Sequence, residues 1–146
     1  MRVNLLAGRL PRTVFMVFAV FLAGKAQAEE IGGRYCGKLF SGGALVEVIT
    51  ILAPGKDGRL EGVYSFREAG AMVDGKLREE RVNGLTRTLV WTDKYGSGRL
   101  LITFTSSYDA FRGAWGVDND LPSSQWDGAR CSMSTVEHLQ PGVAAS

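Results

Sequence analysis

Residues 125–131 read Gln125-Trp126-Asp127-Gly128-Ala129-Arg130-Cys131, a short run that follows an Asp/Asn/Pro/Ser loop and ends in one of the chain's two cysteines. The other cysteine lies roughly a hundred residues earlier, in Gly33-Arg34-Tyr35-Cys36. Both runs read as strands, one the first and the other the last of a series of eight. In an up-and-down barrel the first and last strands are neighbours, so a disulfide between them joins the seam. A β-sandwich is the alternative: it can bring the two together but does not require it. The fold expected is therefore all-β, an eight-stranded antiparallel up-and-down barrel.

Working outward, the stretch between the cysteines shows no sustained 3.6-residue apolar period. It consists of short β-branched and aromatic runs between clusters of Gly, Asp, Asn, Ser and Pro, the pattern of strands and turns. Strands are expected at about Gly33–Phe40, Leu45–Leu52, Leu60–Arg67, Gly75–Val82, Thr86–Asp93, Leu100–Ser106, Phe111–Val117 and Gln125–Cys131. Pro54–Gly58, the Asn83-Gly84 pair, Lys94–Gly98 and Asp118–Ser124 supply turns, and Asn-Gly is the strongest short hairpin signal. Short connections favour an antiparallel meander. Gly followed by Arg or Lys opens four segments, at Gly33, Gly58, Gly75 and Gly98. The spacing is too irregular for a solenoid. It suits hairpins in which the glycine meets the turn and the basic residue faces water.

The first 28 residues have the three parts of a secretory signal. Arg2, Arg9 and Arg12 are a basic start, Val14–Ala23 is an unbroken apolar run, and Ala26-Gln27-Ala28 fits a small-x-small cleavage pattern. The run is half the length of a spanning helix, which needs about 20 residues. Lys25 stands where a lipoprotein signal requires Cys. The expected organisation is a signal peptide over 1–28, a barrel domain over 29–131 and a flexible tail over 132–146, in a periplasmic or secreted protein with no stable membrane insertion after cleavage. Four basic residues (Arg2, Arg9, Arg12, Lys25) leave with the signal. Of 17 basic and 15 acidic residues, 13 and 15 remain, a net charge of −2. The basic balance of the whole chain thus belongs to the export signal and is no argument for nucleic acid.

In an oxidising compartment an even pair of cysteines reads as a disulfide, and closing so long a loop is worth about 4–5 kcal/mol in the chain-entropy model. Two free thiols are the alternative. A zinc site lacks ligands, and no metal or cofactor is expected. If Cys36 and Cys131 face each other directly, Gly37 lies opposite Arg130 and leaves room for its guanidinium to stack on Tyr35.

Gly33-Arg34-Tyr35 with Arg130 resembles the calycin group (lipocalins, avidins, fatty-acid-binding proteins), in which a Gly-x-Trp near the first strand packs under a basic residue from the last. Here Tyr replaces Trp. Phe111-Arg112-Gly113-Ala114-Trp115-Gly116, followed by Trp126-Asp127-Gly128-Ala129-Arg130, resembles a spacing found in small bacterial proteins. Tyr35-Cys36 is similar to the start of one group of periplasmic lysozyme inhibitors, but the nearest match to that group's Ser-Gly-x-x-Tyr loop, Ser97-Gly98-Arg99-Leu100, lacks the Tyr. The first resemblance implies a ligand-binding barrel, the last an inhibitor.

Candidates for catalysis are few. The single histidine, His138, falls in the expected tail, which cannot hold an imidazole for a triad. Glu79 and Glu80 are adjacent, so on a strand they point to opposite faces; Lys76–Arg81 reads as a solvated strand. Asp118-Asn119-Asp120 lacks the Gly and the closing Glu of a calcium loop. The aromatics carry the better signal. Trp91, Trp115 and Trp126, with Tyr64, either fill the core or line a site; Trp115 and Trp126 flank the Asp118–Ser124 loop, so at least one can stand at a rim, and they are the first choice for a site. The expectation is a non-catalytic binding protein for a small apolar or sugar-like ligand. The alternative is an inhibitor or interaction module acting on an envelope or host protein, and a hydrolase using Asp118, Asp120 or Glu79 ranks third.

Overall fold

The computed structural model describes residues 30–132. The expected signal peptide, His138 and nearly all of the expected tail lie outside the described residues. Eight strands follow one another: β1 Gly33–Ser41, β2 Ala44–Pro54, β3 Leu60–Glu68, β4 Ala71–Asn83, β5 Thr86–Asp93, β6 Gly96–Phe104, β7 Ala110–Val117 and β8 Ser124–Arg130. Each pairs antiparallel with the next, and β8 returns to β1, closing the barrel. Among the described residues no helix is long and apolar enough to cross a membrane.

Side chains alternate in and out with the strand period of two. In β4, Val73, Gly75, Leu77 and Glu79 are buried, while Asp74, Lys76, Arg78 and Glu80 face water. The same parity runs through Leu60, Tyr64 and Phe66 in β3, and through Leu100, Ile102 and Phe104 in β6. This interior stripe from every strand makes one continuous core.

The two ends of the barrel differ. At one end lie the first residues of β1, the turns Gly55–Arg59 and Gly84–Leu85, and the segment Thr105–Asp109. This end is plugged. Tyr35, Phe104, Tyr108 and Phe111 pack edge to face, with centroids 5.4–5.9 Å apart, and Ile31 is buried against the core. Arg130 laces the plug: Nε donates to Tyr108 O (2.9 Å), Nη1 to Gly32 O (2.9 Å) and Nη2 to Glu30 O. Its guanidinium carbon lies 5.2 Å from the centre of the Tyr35 ring. Burial raises the Tyr35 phenol above its ordinary value, against the pull of Arg130. At the opposite end are the turns Gly42–Gly43, Ala69–Gly70 and Lys94–Tyr95 and the β7–β8 loop, and there the barrel is open.

The disulfide joins β1 to the chain just beyond β8, with Cα atoms 5.8 Å apart, within the ordinary range. Its register is not the one expected. Tyr35 itself faces Arg130, and Gly37 faces Gly128. Cys131 lies past the ladder, its N–H donating to Arg34 O (3.1 Å), so the cysteines bridge diagonally. A shift of two residues keeps every side chain on its face, and the Tyr35–Arg130 contact survives it. The role given to Gly37 does not. A Cβ there would lie 1.7 Å from Asp127 O, so Gly37 serves close approach of two backbones, and the glycine beside the guanidinium is Gly33, where a Cβ would meet Nη1 at 2.5 Å.

Two of the four Gly-basic segments also sit elsewhere than expected. β4 begins at Ala71 and β6 at Gly96, so Gly75 and Gly98 are inside strands, on the inward face. A Cβ on Gly75 would meet the Tyr64 ring at 2.1 Å and one on Gly128 the Phe111 ring at 2.7 Å, whereas one on Gly98 would first meet Gly116 O at 2.0 Å, with Trp91 at 2.9 Å. Gly75 and Gly128 make room for a large ring on the adjacent strand, and Gly98 serves close approach of two backbones. Phe111, Gly113 and Trp115 alternate on the inner face of β7, where a Cβ on Gly113 would meet Ile102 at 2.6 Å and the Trp126 carbonyl at 2.8 Å, and Trp126, Gly128 and Arg130 alternate on that of β8.

Candidate functional site

The open end of the barrel is a cavity of about 260 Å³, just below the span of about 300–1,000 Å³ usual for drug-sized ligands. All four aromatic residues singled out in the sequence line it: Tyr64, Trp91, Trp115 and Trp126. β8 puts Trp126 at its floor, where Nε1 donates to the buried Thr50 hydroxyl (3.2 Å). Tyr64 packs on Trp126 nearly perpendicular, with centroids 4.7 Å apart, and stacks on Phe66 at 6.3 Å. Across the cavity, Trp91 and Trp115 meet edge to face at 5.5 Å and 90°.

Trp115 is the half-buried member, as expected for a rim. The β1–β8 ladder ends at Leu39–Trp126, and the next β1 carbonyl, Phe40 O, accepts from Trp115 Nε1 (3.0 Å). The indole thus reaches over the start of β8 and ties β7 to β1 at the mouth. Trp91 Nε1 donates to Gly116 O (3.0 Å).

The polar part of the wall comes from residues that end their strands on the inward parity. Ser41 follows Leu39 in β1, Glu68 follows Phe66 in β3, and Asp93 follows Trp91 in β5. None of the three belongs to a sequence motif that marks a site. Ser41 Oγ donates to Glu68 Oε1 (2.6 Å). Glu68 is held below the usual carboxylate range, first by this bond and then by a hydrogen bond from the Tyr95 hydroxyl, with Lys94 adding its charge. Tyr64 OH donates to Asp93 Oδ2 (2.7 Å), and the Tyr95 amide donates to Asp93 Oδ1 (2.8 Å). Burial and then the Asp93 bond push the Tyr64 phenol far above its ordinary value, so its proton stays in place as a donor.

The carboxylates named for hydrolysis are elsewhere. Glu79 is not on a solvated strand: it points inward near the plugged end, 3.2 Å from Arg87 Nε, with both side chains buried. Burial raises its carboxyl, against the pull of Arg87. Glu80 faces out and pairs with Arg99 (3.2 Å). Asp118 and Asp120 are exposed in the β7–β8 loop, where their backbone amides donate to Ser97 O (3.0 Å) and Val117 O (2.9 Å). Among the described residues no three His, Cys, Asp or Glu side chains converge.

The mouth also carries an apolar crown. Phe40 and Leu45 flank the first turn, Met72 the second and Tyr95 the third, and Val117 and Leu121 belong to the β7–β8 end; all are exposed. Against known protein families, curated proteins and solved structures, the chain has no match.

Proposed function

We propose that this domain is an exported, non-catalytic binding protein that holds a small, largely apolar ligand in the aromatic cavity at its open end. The observation that carries this reading is the asymmetry of the barrel: one end is plugged and laced, the other opens into a pocket walled by three tryptophans and a tyrosine. Such a concave apolar site with a few polar groups is the usual form of a small-molecule site.

An apolar body is favoured over a sugar. Sugar recognition needs free donors and acceptors around a stacking ring, and all three indole N–H groups already donate within the protein. Catalysis finds less support. The two carboxylates at the cavity both act as acceptors, and Glu68 is shifted down, whereas an acid catalyst needs a carboxyl shifted up. Periplasmic or extracellular location belongs to the same proposal, resting on the amino-terminal sequence pattern and in keeping with the disulfide.

The protein-contact alternative draws on the apolar crown, above all on Leu121, which is 89% exposed. A fragment screen followed by intrinsic fluorescence tests between the two. Because every tryptophan lines the cavity, occupancy is expected to shift or quench the emission, and Trp115→Phe is expected to weaken the response. A screen in which no apolar fragment alters the emission, while Leu121→Asp abolishes capture of an envelope protein, would overturn the cavity reading.

A further inference from the structure

The cavity's wall has an uneven chemistry. Six of its lining residues carry a side-chain donor: Ser41, Tyr64, Tyr95 and the three tryptophans. Five of those donors are given to protein acceptors: Ser41 to Glu68, Tyr64 to Asp93, and the indoles to Gly116 O, Phe40 O and Thr50 Oγ1. The sixth, the Tyr95 hydroxyl, stands on an exposed rim residue, and its pull on Glu68 is one cause of that carboxyl's lowered value. Among the described residues, no Lys, Arg or His lines the cavity. What remains for a ligand is two carboxylates, which are acceptors only, and the surfaces of aromatic rings, whose quadrupoles are negative on the face.

Each property selects the same partner. A carboxylate or phosphate ligand would meet two negative charges with no donor to receive it. A neutral polar ligand would find acceptors but no donors. A wholly apolar ligand would displace water from Glu68 and Asp93 and return nothing for it. An ammonium carrying alkyl groups gains from the ring faces and from both carboxylates, and its alkyl surface is compatible with the apolar floor. Aromatic walls beside an acidic group are how quaternary ammonium groups are recognised.

We infer that the cavity takes a small organic cation, an alkyl or aryl body bearing a quaternary or tertiary ammonium. This rests on the ligand-binding reading above and names the chemical class of its ligand. The size of the cavity limits the ligand to a compact head, smaller than most drugs. A cation of the protein itself, Lys94, stands at the rim, its Nζ 4.9 Å from the centre of the Tyr95 ring. It lies outside the wall and competes for Glu68 without filling the cavity.

The test uses the purified protein with its disulfide formed and three compact probes of similar shape: choline, the neutral carbon isostere neohexyl alcohol, and the anion pivalate. Calorimetry and tryptophan emission give the affinities. Choline is expected to bind roughly tenfold or more tightly than neohexyl alcohol, pivalate not at all, and Glu68→Gln to remove most of the preference for choline over neohexyl alcohol. Asp93→Asn is the second variant, with its fold checked by circular dichroism, because Asp93 also holds Tyr64. Lys94→Met is expected to raise choline affinity. Equal binding of choline and neohexyl alcohol, or tighter binding of pivalate, overturns the cation inference and leaves the cavity reading intact. Apolar fragments that shift the emission while choline does not bind have the same meaning. Failure of all three probes together with a fragment screen without effect overturns both.

Discussion

Gly75→Ala sets two physical effects against each other with opposite signs. Gly75 lies in the middle of β4 with no left-handed backbone. By propensity alone, alanine there should stabilise the strand by about 0.5–1 kcal/mol. The structure says otherwise. A Cβ at Gly75 would stand 2.1 Å from Tyr64 Cζ and 2.4 Å from both Cε1 and the hydroxyl, where carbon atoms prefer roughly 3.5–4.0 Å. The ring must retreat by more than about 1 Å, and it has little freedom to do so, with Trp126 against it at 4.7 Å and Asp93 holding its hydroxyl at 2.7 Å. Overpacking of this kind costs about 1–3 kcal/mol, and losing a hydrogen bond to a charged group roughly 1.5–3 more. Set against the propensity gain, the expected net loss is about 2–5 kcal/mol, a large share of the 5–15 kcal/mol typical of a domain. Urea unfolding of the oxidised protein measures it. Repeating the substitution in a Tyr64→Leu background isolates the cause, because the smaller side chain frees the space. There the cost is expected to fall below about 1 kcal/mol or change sign, a coupling of the size contacting residues show. The same loss in both backgrounds would refute the clash.

Four further outcomes are expected. Arg87→Met leaves Glu79 buried without its partner and is expected to cost about 3–5 kcal/mol, whereas Glu79→Leu with Arg87→Met is expected to be neutral or stabilising. Thermal unfolding distinguishes the two, and equal losses would contradict the assignment. The Glu79 carboxyl is raised on folding, so its contribution is fully present below the ordinary value of 4.5 and is lost as pH rises through the folded value; Glu79→Gln should flatten stability over that interval. Glu68 has the opposite sign. Its carboxyl is lowered, so its contribution is present above 4.5 and lost as pH falls through the folded value. Acid is then expected to release Ser41 and change tryptophan emission before global unfolding, with Glu68→Gln removing that step. Replacing Cys36 and Cys131 by Ser opens a 95-residue span and is expected to cost about 4–5 kcal/mol; a loss under about 1 kcal/mol would show that the closed ladder between β1 and β8 holds the seam alone.

The barrel was legible because two signals agree. Short β-branched and aromatic runs between turn residues mark the strands, and the cysteines mark the first and last as neighbours. The aromatic lining of the cavity was legible as a cluster of large rings, with Trp115 and Trp126 flanking the Asp118–Ser124 loop. The register was not. Facing and diagonal cysteines both satisfy a disulfide, and the choice rests on the backbone approach at Gly37 and Gly128, which no sequence pattern measures. Gly75 and Gly98 misled in an instructive way. Glycine before a basic residue reads as a turn, yet glycine inside a strand also lets a neighbouring ring lie close, as Gly75 does for Tyr64, or a neighbouring backbone, as Gly98 does for Gly116, and only the adjacent strand tells which role applies.

The polar half of the site was within reach of the sequence but needed one more step. Inward parity does not stop where the apolar residues stop. Continued to the strand ends at one end of the barrel, it names Ser41 after Tyr35, Gly37 and Leu39, Glu68 after Tyr64 and Phe66, and Asp93 after Leu89 and Trp91. Two acids and a hydroxyl then sit above the aromatic stripe with no basic residue of the same parity at that end of the barrel; Arg87 and Arg130 share the parity but lie at the plugged end. Acidic residues at strand ends are ordinarily taken for turn formers, and Asp93 does cap its turn through the Tyr95 amide. The turn role explains one oxygen of Asp93 and none of Glu68. The charge that remains faces an aromatic cavity, and it is the feature of this molecule that most narrows what the cavity can hold.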